Sequence, residues 1–514
     1  MAKKRNTWGS RSTFILAAVG SAVGLGNAWR FPGLAAKYGG GTFLMVYLLM
    51  MLVMGIPLLG MEIAIGRKVK RGAAGSMAGL NKKFEPIGWA ATNNAFFICT
   101  YYAVVFAWVI VMAVIAIWKF PAMTGNPDAA AGIFDKTIMI SKSMTDFRMP
   151  IMVIICLIVA WGAIYYCIRN GVKSVSKVIK YTVFLPVIFL VIMAAKGITM
   201  PHAIGGLKAF FIPQLGAINN PSLWVDATGQ VFYSLSIMMA IMLAYGSFLK
   251  DDTNIAMDTI IIAFSDMAVS VLSGIVLFTT MYGTGMQDKM TDSGIATAFY
   301  VYPMSIVTMT DSGIFNALFG LIFYLCLITL AIDSAFSIAE GVSTSFFDKF
   351  KLRKGKTTLV VCIIMAIISI VYVTRSGLYY LDTVDHFTNM INLILIGILE
   401  CVAVGWFFKT SKVLTEINRN TNKFRMPSWW FITSVKVISP ILLTGLFVWN
   451  IIDLFVTNKG LYSGYPLWIN IVFGWAFCAI VFFSGFVIMF IGKRREKAGK
   501  EIDHPSWDNN EVNE

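Results

Sequence analysis

Apolar blocks of about 20 residues alternate with short polar linkers along almost the whole chain, and that is the length at which a helix crosses a hydrocarbon core of about 30 Å. Twelve blocks are predicted as membrane spans, at 11–37, 41–66, 88–119, 150–168, 175–196, 222–249, 255–281, 317–347, 357–374, 379–408, 430–456 and 466–492. The linkers are of two kinds. RKVKRGAAGSMAGLNKK, RNGVKSVSK, DKFKLRKGK, KTSKVLTEINRNTNKFR and GKRREKAGK all fall on the side of the N-terminal KKR, whereas the loops near 120–149, 197–221 and 282–316 hold few cations and more Gly, Pro and Asp. Lys and Arg accumulate on the cytoplasmic side of membrane proteins. Both termini are therefore expected in the cytoplasm, with the chain in the cell inner (plasma) membrane. The longer outer loops have room for short interfacial helices.

Composition agrees, since 57% hydrophobic and 13% charged residues lie outside soluble usage and fit an all-α polytopic membrane protein. The net charge of +15 does not indicate nucleic acid, because the cations sit in short clusters between apolar blocks. Seven cysteines (Cys99, Cys156, Cys167, Cys326, Cys362, Cys401, Cys478) all fall inside apolar blocks without a CxxC. They read as small core residues, not as a disulfide framework or a metal site. No small-residue cleavage site follows the first block, so it is expected to stay as a helix. There is no HExxH, His386 is the only histidine near a span, and no cysteine has a basic partner nearby, so an enzyme is not expected. The polar end DHPSWDNNEVNE is expected to be disordered.

One stretch does not suit a membrane helix. SAVGLGNAWRFP, residues 21–32, places glycines, an asparagine, an arginine and a proline inside the first apolar block. Gly20, Gly24 and Gly26 remove the side chains that enforce helical geometry, and unpaired backbone at bilayer depth needs another partner. Freed carbonyls suit a cation, and freed N–H groups suit an anion. The spacing of Gly20 and Gly24 also fits a helix-packing face, although Asn27 and Arg30 are expensive additions to one. The sixth block is interrupted too, by GQVFYSLS followed by Met238, Met239 and Gly246. Paired interruptions in the first and sixth of ten helices point to inverted repeats with a midplane binding site.

NTWGSRSTFILAAVGSAVGLGNAWRFP, then GGGTFLMVYLL and GIPLLGMEIAIGR, resemble the first two helices of the neurotransmitter:sodium symporter family, and TYY, GQVFYSLS, LAIDSAF and LDTVDHF extend the resemblance along the chain. It implies twelve helices, with inverted repeats at 11–196 and 222–408 and broken helices 1 and 6. Around these lie an N-terminal gate segment (1–10), an extracellular loop (197–221), helices 11–12 (409–492) and a cytoplasmic tail (493–514). It further implies coupling of two sodium ions to uptake of an amino acid by alternating access, with no organic cofactor. The first sodium would meet the Ala22 carbonyl and the side chains of Asn27, Ser234 and Asp266. The second would meet carbonyls of Gly20, Val23 and Leu330 and the side chains of Asp333 and Ser334. Both sets are all-oxygen, as a hard cation demands.

The family's amine-selective members carry an acid where this chain has Gly24, so a zwitterionic amino acid is expected. Its carboxylate would meet the N–H groups of Leu25 and Gly26, the Tyr102 hydroxyl and the first sodium. Its ammonium would meet carbonyls of Ala22 and Tyr233 and the Ser236 hydroxyl. Ser21, Ile98, Tyr233, Met239, Ser334 and Ile338 would form a mostly apolar wall. Met238 departs from the family's small residue, so the cargo is either a hydrophobic neutral amino acid or a small one such as glycine or alanine. A substrate-sensing receptor on the same scaffold is a further alternative. Tyr47, Gln230, Ser234 and Ser270 match the family's chloride pocket, but Asp266 replaces a neutral asparagine beside it, so chloride is not expected. Arg30 with Asp385 would gate the outer path, and Arg5 with Asp348, together with Trp8, the inner one. Oligomeric state is not implied.

Overall fold

The computed structural model describes residues 5–421, 424–457 and 459–508; these form helices joined by turns and loops, and the strand-like pairing among them is one isolated bridge between Gly40 and Pro213. Ten continuous helices among the described residues are long and apolar enough to cross a membrane, and a bent pair adds an eleventh. The bent pair, Arg11–Ala22 with Gly26–Lys37, turns through 50° and is span 1. Spans 2 to 5 are Gly41–Val69, Lys82–Met123, Ile151–Ile168 and Val172–Ile198. Span 6 is split into Pro221–Ser234 and Ile241–Gly246. Spans 7 to 10 are Ile255–Gly283, Gly313–Lys349, Lys354–Val373 and Gly377–Phe407. Span 11 runs from Ser428–Thr433 through Asp453–Thr457, and span 12 is Leu467–Lys497.

All twelve predicted blocks thus coincide with helical spans, and the two interrupted blocks are the two broken ones. Short helices occupy the loops, including Ala203–Phe211 and Gly294–Val307 on one face and Ala73–Leu80 and Thr410–Ile417 on the other. The second face, the basic face, carries both ends of the described chain, Arg5 and Asp508, and the Lys and Arg clusters. Spans 1, 3, 6 and 8 enclose the centre. Span 3 is buried along most of its length, whereas span 12 exposes a long apolar side, including Phe483, Phe486 and Phe490, which suits lipid contact.

The described part of the tail is packed, contrary to the disorder its polarity predicts. Ile502, Asp503 and Trp507 are buried. Asp503 takes an ion pair from Arg71, its N–H donates to the Lys349 carbonyl at 3.1 Å, and the Trp507 N–H donates to the Gly79 carbonyl at 2.9 Å. The Trp507 ring lies 5.2 Å from that of Phe408. A single tryptophan and one buried ion pair thus anchor a segment whose average composition is that of a solvated chain. Trp507→Ala should cost about 3 kcal/mol of stability, read as a lower unfolding midpoint in detergent; an unchanged midpoint would show that the anchor carries no weight.

Candidate functional site

The two breaks face each other, and the backbone groups they leave are met by side chains of spans 1, 2, 6 and 8. Span 1 leaves helical geometry at Val23. Its second half is started by Asn27, whose Oδ1 accepts the Gly24 N–H at 3.0 Å. The Ser21 carbonyl, freed by the break, accepts from the Ser236 hydroxyl at 2.8 Å and the Ser334 hydroxyl at 3.4 Å. The Gly26 carbonyl accepts from Gln230 Nε2 at 3.2 Å.

Span 6 has no glycine in its break, so its residues adopt left-handed backbone at real expense. Ser236, Met238 and Ala240 have φ of 54°, 62° and 62°, and such residues cost of order 1–3 kcal/mol each unless the surroundings hold them. Glu62 of span 2 is the holder, since its carboxylate accepts the Met238 N–H at 2.6 Å. Sequence reading missed Glu62. The available signal was an acid inside the apolar run GIPLLGMEIAIG, which needs a buried partner.

A small central cavity lies between the breaks, lined by Ser21, Ala22, Gly24, Gly26, Asn27, Ile98, Tyr102, Tyr233, Ser236, Met239, Ser334 and Ile338. Gly24 and Gly20 are set by close approach. A Cβ on Gly24 would sit 2.5 Å from Ser334 Oγ, and one on Gly20 would sit 2.8 Å from Asp333 Oδ2. The Tyr102 hydroxyl and Asp333 Oδ1 are buried with no hydrogen-bond partner. Leu330, Asp333 and Ser334 share one face of span 8, three and four residues apart, against Gly20 and Ser21 of span 1. An orphaned carboxylate oxygen there fits a cation.

Leu25, Ser234 and Met238 do not line the cavity. The left-handed backbone at 238 turns the Met238 side chain toward Gly397 of span 10. Ser234 is instead part of a buried cluster around Asp266. The Asp266 carboxylate accepts from Ser234 Oγ at 2.7 Å, Asn27 Nδ2 at 2.7 Å and the Tyr47 hydroxyl at 3.0 Å, while Asn27 Nδ2 also reaches Ser270 Oγ at 2.8 Å. The Asn27 side chain therefore turns its nitrogen toward Ser234 and Asp266, and its oxygen would meet a cation only after the amide turns over.

On the side of the cavity away from the basic face, a larger vestibule has Tyr102 and Tyr233 as its floor. Arg30 and Asp385 both line it. They form no ion pair among the described residues: Arg30 lies over the Tyr233 ring at 5.7 Å, and Asp385 accepts from Asn389 at 2.9 Å. The basic face is shut. Arg5 pairs with Asp348 at 2.6 Å and donates to Ser247 Oγ at 2.6 Å, and Asp348 also accepts the Gly72 N–H at 2.8 Å. Trp8 is buried, its indole N–H donating to the Tyr245 carbonyl at 3.0 Å. The geometry is that of a site open on one face and closed on the other.

The sequence profile of the sodium:neurotransmitter symporter family matches residues 5–122 and 119–494. An uncharacterised sodium-dependent transporter of Methanocaldococcus jannaschii is 31% identical over 472 residues, covering 90% of this chain and 93% of the relative. The human sodium- and chloride-dependent creatine transporter 1 is 27% identical over 98% of this chain and 86% of its own length. Among solved structures, that of MhsT in complex with L-phenylalanine superposes with a TM-score of 0.75 at 27% identity, covering 87% of this chain and 99% of that one.

The brace on span 6 is testable. Glu62→Ala leaves the Met238 N–H unpaired and should cost about 1–3 kcal/mol, with weakened ligand binding, whereas Glu62→Gln keeps an acceptor and should retain most of both. Equal behaviour of the two variants in unfolding and binding assays would contradict the assignment.

Proposed function

The chain belongs to the sodium:neurotransmitter symporter family and is a sodium-dependent transporter; from that premise we propose that it carries a neutral, apolar L-amino acid with two sodium ions, without chloride. The observation that carries the substrate reading is the uncharged wall around Gly24. Among the described residues no ionisable acid or base lines the central cavity apart from the Tyr102 and Tyr233 phenols, so a charged side chain would be buried unpaired, which is strongly unfavourable. The absence of an acidic side chain at Gly24 and the unpartnered Tyr102 hydroxyl suit the ligand's own carboxylate, and the phenylalanine bound in MhsT supports an apolar one.

The sodium proposal uses the two oxygen clusters. One lies at Asp333, with Ser334 and the carbonyls of Gly20, Val23 and Leu330. The other lies at Asp266, with Ser234, the Ala22 carbonyl and Asn27 after its amide turns over. In the second cluster the Asp266 carboxylate already holds hydroxyl and amide donors that an anion would need. Two unit charges about 4 Å apart repel by about 4 kcal/mol at an effective dielectric of 20, so chloride is disfavoured beside it.

Transport then proceeds by exchanging one closed face for the other. Ligand enters through the vestibule, Tyr102 and Tyr233 close over it, and Arg30 reaches Asp385. Opening on the basic face, taken as cytoplasmic from its Lys and Arg clusters, requires release of Arg5 from Asp348 and of Trp8 from Tyr245. Arg5 is partly exposed and Asp348 nearly buried in the closed state, so release of the pair requires water to reach both charges as this face opens.

A thermal-stability screen of the purified protein against the twenty amino acids tests the substrate. A ligand at 100 times its dissociation constant adds about 2.7 kcal/mol, and apolar neutral amino acids should shift the midpoint in sodium but not in potassium. Shifts from lysine or aspartate, or shifts independent of sodium, would contradict the reading. Gly24→Ala should abolish the shift while leaving a folded protein. Uptake into proteoliposomes should survive replacement of chloride by gluconate, and Asp266→Asn should become chloride-stimulated. Collapse of wild-type uptake in gluconate would refute chloride independence.

A further inference from the structure

On the basic face, beside the segment that carries Arg5, a depression opens between the end of span 4, the start of spans 5 and 9 and the N-terminal segment. Arg169, Lys173, Lys177 and Lys354 converge on it, with Asn6 and Asn170 at its edge, and no carboxylate lines it among the described residues. Lys354 is neutralised by buried Glu340. Arg169, Lys173 and Lys177 make no ion pair among the described residues, and Arg169 rests only on the Tyr166 ring, at 4.3 Å. Three cations thus share one concavity without an anion of their own.

The surroundings indicate which anion fits. At the start of span 5, Val172, Val175 and Ile179 are buried while Lys173, Lys177 and Lys180 are exposed, the pattern of a segment lying at a membrane surface. Tyr166 and Tyr181 are 58% and 71% exposed and Phe184 53% exposed, as aromatic residues are at the headgroup level. A soluble phosphate would have no use for this apolar flank, whereas acyl chains would lie along it. Basic pockets between spans on the cytoplasmic side are a recurrent form of headgroup site.

We propose that this depression binds the phosphate headgroup of an anionic phospholipid from the adjacent leaflet. The headgroup phosphate accepts hydrogen bonds from Lys173, Lys177 and Arg169, and its outer edge meets Asn6. Asn6 adjoins Arg5, the residue paired with Asp348, so a bound lipid ties the N-terminal segment to spans 4, 5 and 9 and favours the closed state of the basic face.

The test uses the full chain in nanodiscs of phosphatidylcholine alone or of an equimolar mixture with phosphatidylglycerol, with retained lipid counted by native mass spectrometry. Wild type should retain phosphatidylglycerol but not phosphatidylcholine. The double variant Lys173→Gln, Lys177→Gln should retain roughly thirtyfold less, at about 1 kcal/mol for each cation. Lys180→Gln, on the same surface but outside the depression, should retain as much as wild type. Equal retention by the double variant, or equal loss from Lys180→Gln, would reduce the effect to diffuse surface charge and overturn the site. Inorganic phosphate added to lipid-depleted protein should not raise the unfolding midpoint; a rise matching that given by phosphatidylglycerol would assign the depression to a soluble anion and overturn the lipid.

Discussion

Everything at the centre of this protein follows from the need to satisfy backbone polar groups where no water is available. Two helices stop short in mid-membrane, and the groups they free are met by side chains: Ser236 and Ser334 on the Ser21 carbonyl, Asn27 on the Gly24 N–H and Glu62 on the Met238 N–H. The breaks are therefore not loose ends but parts of one cross-braced core. The cavity is the space left between them, and the brace leaves the Tyr102 hydroxyl in its wall and Asp333 Oδ1 on span 8 without a partner.

The brace also explains why the two halves of the site differ in how readable they are. Span 1 advertises its break through Gly20, Gly24, Gly26 and Asn27, because glycine is the inexpensive way to interrupt a helix. Span 6 breaks through serine, methionine and alanine in left-handed backbone, held by an acid from span 2. That acid is far away in sequence, and its role is visible only in three dimensions. The same backbone reversal moved Met238 out of the cavity wall, where its position beside Met239 had suggested a contact. The span positions were legible because hydropathy over 20 residues is a strong signal. The packed tail was not, since a lone tryptophan and one aspartate barely alter the average of a polar segment.

The gates show a related limit. Arg30 and Asp385 are matched through the family resemblance, but here they line a vestibule without touching. Arg5 and Asp348 do touch, and the second oxygen of Asp348 is held by Gly72, next to the Arg71 that anchors Asp503 of the tail. The closed face is thus a chain of contacts running from the N-terminal segment through spans 8 and 2 to the C-terminal segment.

Asp266 has a consequence in the electrical behaviour of the cycle. A diffusible anion that balances the bound sodium leaves with its cargo, but a carboxylate fixed to span 7 remains with the protein. Under the proposed sodium coupling the loaded carrier is partly neutralised from within by Asp266, and the empty carrier takes that carboxylate back without its cation. Moving one charge through the full membrane potential is worth about 2.3 kcal/mol per 100 mV. Voltage should accordingly weigh on the return of the empty carrier, and the resting potential should help set the pace of turnover.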